Sequence, residues 1–367
     1  MQKEQVLTSS IYSTLWRLSR IMAAALMVLL LFATAGCAKE QPKTRTKGNK
    51  MSLLFKKPVY RLKVEAFGVS NYIEVNGVIV TFDTSSWGQT TVTLPVNHLM
   101  RSGENTIAFD VLPPKRGEQI NPNSHVKIAL TVCELTDQKN IYTVATLHFH
   151  GTADANKSHT GGSSPSGVFN STKGFAPDKD GDVQVFDVTA VARPSYANSW
   201  TYTRKIDIPS SLPLWAFFNS EEMPDYQVNL KTDEELDRAI APLYAEYQKV
   251  YGALEKHNVD AIMPMFAERN RELDMAFYLE PGTMEAELRD AFASTIKDMK
   301  EGNQELVGLR IRSVGFQLET NKKIASLIRR GMEPAIIINY VNKLDGVGSE
   351  RYPMFFRYQN GKYILTR

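Results

Sequence analysis

The sequence predicts a multi-domain fold: an all-β unit followed by an α+β unit whose helices pack on a curved antiparallel sheet. Three observations predict it. Residues 57–218 carry short runs in which apolar and polar side chains alternate between turn residues, as in half-buried strands. Residues 232–300 switch to apolar spacings of three and four, the mark of a helix face. From Val307 strand-like runs return, and helices followed by a strand meander is an α+β order. A chain of 367 residues is also too long for one small core and suits two. Its 43% hydrophobic and 23% charged side chains are ordinary for a folded protein.

Residues 1–36 stand outside that fold. Arg17 and Arg20 precede an apolar run from Ile21 to Ala33, which ends in the small residues Ala35 and Gly36 before Cys37. A basic start, a short apolar core and a small-residue cut site make an export signal. The apolar run is shorter than the roughly 18 residues of a transmembrane helix. The cut site resembles the lipobox of bacterial lipoproteins, except that Thr34 stands where that family usually has leucine. The resemblance implies lipidation of Cys37 by palmitate-like acyl chains, and several chains anchor stably where one does not. Ala38 follows the cysteine, where Gram-negative lipoproteins kept in the inner membrane usually carry aspartate. The implied address is the cell envelope, at the outer membrane and facing the periplasm.

Residues 37–56 read as a basic tether, with six Lys or Arg from Lys39 to Lys56 against Glu40 alone. On an anionic membrane each such charge is worth about 1 kcal/mol. Removing the signal takes away Lys3, Arg17, Arg20 and Glu4 and leaves 40 basic against 39 acidic side chains. That balance excludes nucleic acid as the partner. With Cys37 consumed, Cys133 is the sole remaining cysteine, which excludes an intrachain disulfide. It lies in a strand-like run and is expected as a buried small hydrophobe.

The β unit, 57–218, begins with alternation from Tyr60 to Phe67. Asn76-Gly77 between two apolar runs predicts a tight hairpin, because both turn residues need positive φ. Leu99, then the turn Gly103-Glu104-Asn105, then a strand to Val111 follow. This leucine, Gly-x-Asn turn and strand resemble an element of jelly-roll domains, including the sugar-binding domain of family 2 glycoside hydrolases. The resemblance implies a jelly-roll-like β-sandwich. Residues 151–182 read as a long polar loop, and strands return at 183–188 and 200–208. Residues 219–231 read as a linker.

Thr232-Asp-Glu-Glu235 is a capping box that opens a long helix, with Pro242 either kinking it or starting its main part. Val259–Phe266 reads as a short helix, and Met284 to Lys300 as a further one capped by Thr283. Strands are expected at 307–311, 334–344, 352–358 and 363–367, with tight turns at Asp345-Gly346 and Asn360-Gly361. The long helix ending at Asn258-Val259-Asp260, the aromatic run Phe355–Tyr358 and the last hairpin resemble the nuclear transport factor 2-like, or ketosteroid isomerase-like, fold. That resemblance implies a cone-shaped α+β domain over 232–367, with a pocket between sheet and helices and a homodimer as one use of the sheet.

Candidate chemistry is sparse. Family enzymes place a carboxylate base opposite acidic hydroxyls, so Asp260, Asp274, Tyr278 and Tyr340 are the candidate pocket residues. None matches the isomerase's catalytic positions, and no catalytic residue is assigned. His148 and His150 share a strand face, with His159 near, as zinc or copper ligands do. Against that stands the plainer expectation of surface histidines on an edge strand. Asp178, Asp180 and Asp182 bring three carboxylates into one turn, the ligand type of a structural calcium. The loop lacks the glycine and glutamate of a helix-loop-helix calcium site, so a polar turn is the expectation and no cofactor is assigned. The sequence therefore points to a non-catalytic binding module for a protein or a small apolar or glycan ligand. The alternatives are an inhibitory or immunity lipoprotein that blocks a periplasmic toxin, and an isomerase- or dehydratase-like enzyme.

Overall fold

The computed structural model describes residues 55–83, 89–113, 120–151, 159–162, 169–170, 174–175, 188–192, 200–208, 210–341 and 348–367. Cys37, the tether up to residue 54, most of the polar loop with Asp178, Asp180 and Asp182, and the Asp345-Gly346 turn lie outside them. The chain is rich in antiparallel sheet, with a smaller helical share, and divides into two compact units with the boundary between Trp215 and Ala216.

In the first unit the strands are β1 (Pro58–Phe67), β2 (Ser70–Val75), β3 (Val78–Asp83), β4 (Gln89–Pro95), β5 (Gly103–Leu112), β6 (His125–Glu134), β7 (Asp137–Gly151), β8 (His159–Gly162), β9 (Phe169–Asn170), β10 (Gly174–Phe175), β11 (Val188–Ala192) and β12 (Trp200–Ile208). One five-stranded sheet runs β4-β1-β6-β7-β8 and another β11-β12-β5-β2-β3. Alternation decides which side chains go inward. Leu62, Val64 and Ala66 of β1 are buried while Lys63 and Phe67 are exposed. Between the sheets Phe149 meets Tyr202 edge-on with centroids 5.9 Å apart, and Arg204 Nη1 donates to the Thr146 carbonyl at 2.9 Å.

The Asn76-Gly77 hairpin forms, with φ of 53° and 69°. The Gly-x-Asn turn has a local cause. Asn105 accepts from Arg101 N at 3.0 Å and donates to the Arg101 and Gly103 carbonyls, so one side chain ties its own turn. Asn97, fully buried, accepts from Tyr60 N and donates to the Pro58 carbonyl. Trp215 Nε1 donates to the carbonyls of Asn97 and Met100 and closes this unit. Cys133 is a buried free thiol on β6, with its pKa pushed up by burial.

The second unit holds α1 (Tyr226–Asn229), α2 (Asp233–Glu255), α3 (Val259–Ile262), α4 (Ala267–Ala276) and α5 (Thr283–Lys300). Its strands are β13 (Gln304–Leu306), β14 (Gly315–Leu318), β15 (Ile324–Arg329), β16 (Glu333–Pro334), β17 (Ile336–Tyr340), β18 (Ser349–Tyr352), β19 (Phe356–Gln359) and β20 (Lys362–Leu365). They form the sheets β13-β17-β18 and β14-β15-β19-β20, with β16 on β15. Thr232 and Glu235 make the expected capping box. Pro242 sits inside an unbroken α2, although an interior proline costs about 3 kcal/mol. The buried face Ile240, Leu243, Tyr247, Val250 and Leu254 outweighs it, at about 1.5–3 kcal/mol per large apolar side chain. Tyr247 also donates to the Met354 carbonyl at 2.6 Å and accepts from Leu327 N at 3.0 Å, which fixes the helix to β15.

Several expectations are corrected. Residues 219–231, read as a linker, pack into the second unit: Met223 is in its core, the Met223 N–H donates to the Lys322 carbonyl, and Tyr226 packs on Phe316. Thr283 is the first residue of α5 rather than its cap, and Asp274 serves the exposed N–H groups instead. Val307–Ile311 is not a strand, since pairing ends at Leu306 and Ile311–Ser313 forms a 3-10 turn. The 352–358 run breaks at Pro353 into β18 and β19, because proline cannot donate to a ladder. Helix α4 and strands β14 and β15 have no counterpart in the sequence reading.

Candidate functional site

The four expected pocket residues do not converge. The Asp260 side chain is 86% exposed and pairs with Arg289. Asp274 is buried, with its oxygens accepting Gly282 N at 2.7 Å and Met284 N at 2.8 Å, so it is a helix cap. Tyr278 follows α4 with a φ of 58°. Only Tyr340 joins a polar centre, built around Glu350.

Glu350 lies on β18, 7% exposed, opposite Ile338 of β17. Its Oε1 accepts from Tyr340 OH and, at 3.2 Å, from Gln304 Nε2. Its Oε2 accepts from Tyr352 OH at 2.7 Å and Thr295 Oγ1 at 3.1 Å. A carboxylate offers about four lone-pair sites, and here four groups crowd them, with Thr295 Oγ1 also 2.9 Å from Tyr352 OH, so that these two hydroxyls share two hydrogens among three contacts. Burial first, then the neighbouring Glu350 charge, raises Tyr352 well above the ordinary phenol, so it stays a donor. Phe292 stacks on Tyr352 with centroids 5.3 Å apart and covers the group. A carboxylate facing two phenols is the pair an isomerase-like site would use, but a general base needs a lone pair free for substrate.

A second polar centre lies on α4. Its buried side chains include Asn270, Glu272 and Asp274. Arg357 of β19 grips Glu268 through two bonds, at 2.7 and 2.6 Å. Arg367 pairs with Glu272 at 2.6 Å in nearly full burial and lies over the Phe217 ring at 4.9 Å. Glu272 also accepts from Ala216 N at 2.7 Å. Arg269 has neither carboxylate. Burial, then the Arg367 charge, pulls its guanidinium down to about 10. The sequence signal for this centre was the charged run Glu268-Arg269-Asn270-Arg271-Glu272, which carries no apolar period.

His148 and His150 are on the outer face, with centroids 5.7 Å apart, and His125 lies 6.2 Å from His150 across the β6–β7 pair. The strand is not an edge, because β8 pairs β7 on its far side. Burial and neighbouring positive groups hold both imidazoles below the usual histidine range. Among the described residues no group of three or more His, Cys, Asp or Glu is placed to hold a metal ion. A groove of about 480 Å³ at the C-terminal end of α5, lined by His257, Ile296, Lys297 and Lys300, contains neither polar centre. No described helix is long and apolar enough to cross a membrane. The chain matches no protein-family model, and no curated protein or solved structure is similar to it.

Proposed function

We propose that this chain is a bacterial envelope lipoprotein, acylated at Cys37 and held at the outer membrane facing the periplasm, that binds a ligand without transforming it. Its first unit is read as a jelly-roll-like sandwich and its second as a cone-shaped domain of the nuclear transport factor 2-like kind. The signal and lipobox of residues 1–37 support the address. The single observation that supports binding over turnover is the crowding of Glu350: Tyr340, Gln304, Tyr352 and Thr295 all lie in hydrogen-bond contact with its two oxygens. The isomerase-like alternative draws support from the same carboxylate–phenol contact and requires that contact to open. The inhibitory alternative requires one tightly bound protein partner.

Labelled palmitate fed to bacteria expressing the chain tests the address. Label on the wild type and none on Cys37→Ser is the expected result. An unlabelled wild type, or one whose native mass retains residues 1–36, contradicts it. For the alternatives, envelope pull-down that returns one stoichiometric protein favours the inhibitory reading.

A further inference from the structure

The outer face of the β6–β7 pair brings three imidazoles side by side. His148 and His150 lie two apart on β7, so both rings project from that face, with centroids 5.7 Å apart. His125 is the register partner of His150 on β6, and its ring is 6.2 Å away. Water reaches the group: His150 is exposed, and His125 and His148 are half-buried. Among the described residues none of the three rings hydrogen-bonds to another group of the chain, so their nitrogens are left to solvent. Burial, and then a neighbouring imidazole, keeps His148 and His150 neutral near neutral pH. A neutral imidazole offers the lone pair that a metal ion needs.

We propose that these histidines bind a zinc ion, with His148 and His150 as the chelating pair and His125 as the third ligand. Two imidazoles on one tetrahedral zinc, each at a Zn–N distance of about 2.0–2.1 Å, have centroids about 5 Å apart. Both observed separations are near that value. As placed, the three rings do not converge on one point, so capture requires their χ angles to turn while the strands stay where they are. Imidazole nitrogen suits zinc, copper or nickel rather than calcium or magnesium. A right-angled pair, as in tetragonal copper or nickel, would bring the centroids to about 4.5 Å, so the wider spacing here favours tetrahedral zinc. Three nitrogens leave the fourth position to water or to a donor from another molecule. The positive group that opposes the ion is Lys127, the register partner of His148, which is exposed and can swing outward. Glu65, beside Lys127 on β1, is tied to Lys63 at 3.0 Å. The site does not rest on the envelope reading, because acylation of Cys37 has no bearing on it.

The test is isothermal titration of zinc chloride into the full-length chain in detergent, stripped of metal beforehand, at about pH 7.5 in a buffer that does not bind zinc. One zinc per chain with micromolar affinity is the expected result, and magnesium in its place should give no heat. His150→Ala removes the ring shared by both close pairs and should weaken zinc binding at least about tenfold, as should His125→Ala. Lys127→Gln keeps all three ligands and removes the opposing charge, so it should tighten binding about two- to fivefold. That variant decides the matter if a histidine variant fails to fold. Absence of zinc heat in the wild type, or unchanged affinity in His150→Ala, would make these plain surface histidines and overturn the proposal. Unchanged or weaker affinity in Lys127→Gln overturns it too, because zinc would then sit elsewhere on the chain.

Discussion

The two buried polar centres of the second unit are opposite in their accounting of charge. Glu350 is an anion with four donors and no surplus, whereas α4 carries a cation, Arg269, whose contacts are all neutral. A buried charge is tolerated when its hydrogen bonds are complete. The Glu350 carboxylate meets that condition within the chain and ties α5, β13, β17 and β18 together, although the Oε1 of its neighbour Gln304 is buried without a partner. The α4 centre meets it at Glu268 and Glu272 but not at Arg269. The difference lies in the charged groups alone: Glu350 is surrounded by hydrogen-bond donors, while Arg269 has no carboxylate partner.

Breaking the completed part of the α4 centre has the largest expected effect. Glu272→Gln leaves Arg367 buried without its carboxylate and weakens the acceptor for Ala216 N, so it should cost about 3–5 kcal/mol in urea denaturation. A loss below about 1 kcal/mol would show that the pair contributes little. Glu350→Gln comes next. It replaces one oxygen, on which two donors converge, by an NH2 group, and should cost about 1–3 kcal/mol. An unchanged midpoint would mean that the donors find other partners. Thr232→Ala, at the α2 cap away from both centres, calibrates the scale at about 1 kcal/mol. The smallest effect is one of pH. His148 and His150 sit below the ordinary histidine pKa, chiefly through burial, so the unfolded chain takes up their protons first. Their contribution is complete above about pH 6.5 and is lost as the pH falls through the folded values. The denaturation midpoint of His148→Gln should fall less steeply on acidification than that of the wild type. Parallel curves would contradict this.

The same contrast governs what the sequence revealed. Where burial is apolar, the pattern was readable: the alternation of β1, the Asn76-Gly77 hairpin and the buried face of α2 behind its capping box. Helix α4 buries Asn270, Glu272 and Asp274, so its inward face has no apolar period and looks like a solvated charge run. In sequence Asp274 is one of four pocket candidates, whereas its place eight and ten residues before Gly282 and Met284, whose N–H groups it accepts, is the better clue to a cap. Strands β14 and β15 are short and joined by a turn in which Lys322 takes a φ of 58°, a position without a glycine to mark it. Glu350 lies between Ser349 and Arg351 like any surface residue, and its partners come from positions 295, 304, 340 and 352. Only the folded sheet brings them together, so tyrosine at 340 could be picked out but its carboxylate could not.

The most direct measurement compares urea midpoints of Arg269→Gln and Glu350→Gln, side by side, in buffer without carboxylates. If Glu350 is held by its donors while Arg269 lacks a counter-charge, Glu350→Gln loses stability while Arg269→Gln stays within about 0.5 kcal/mol of the wild type or gains. An Arg269→Gln chain destabilised as much as Glu350→Gln would mean that Arg269 already has its counter-charge, and the contrast between the two centres would be gone.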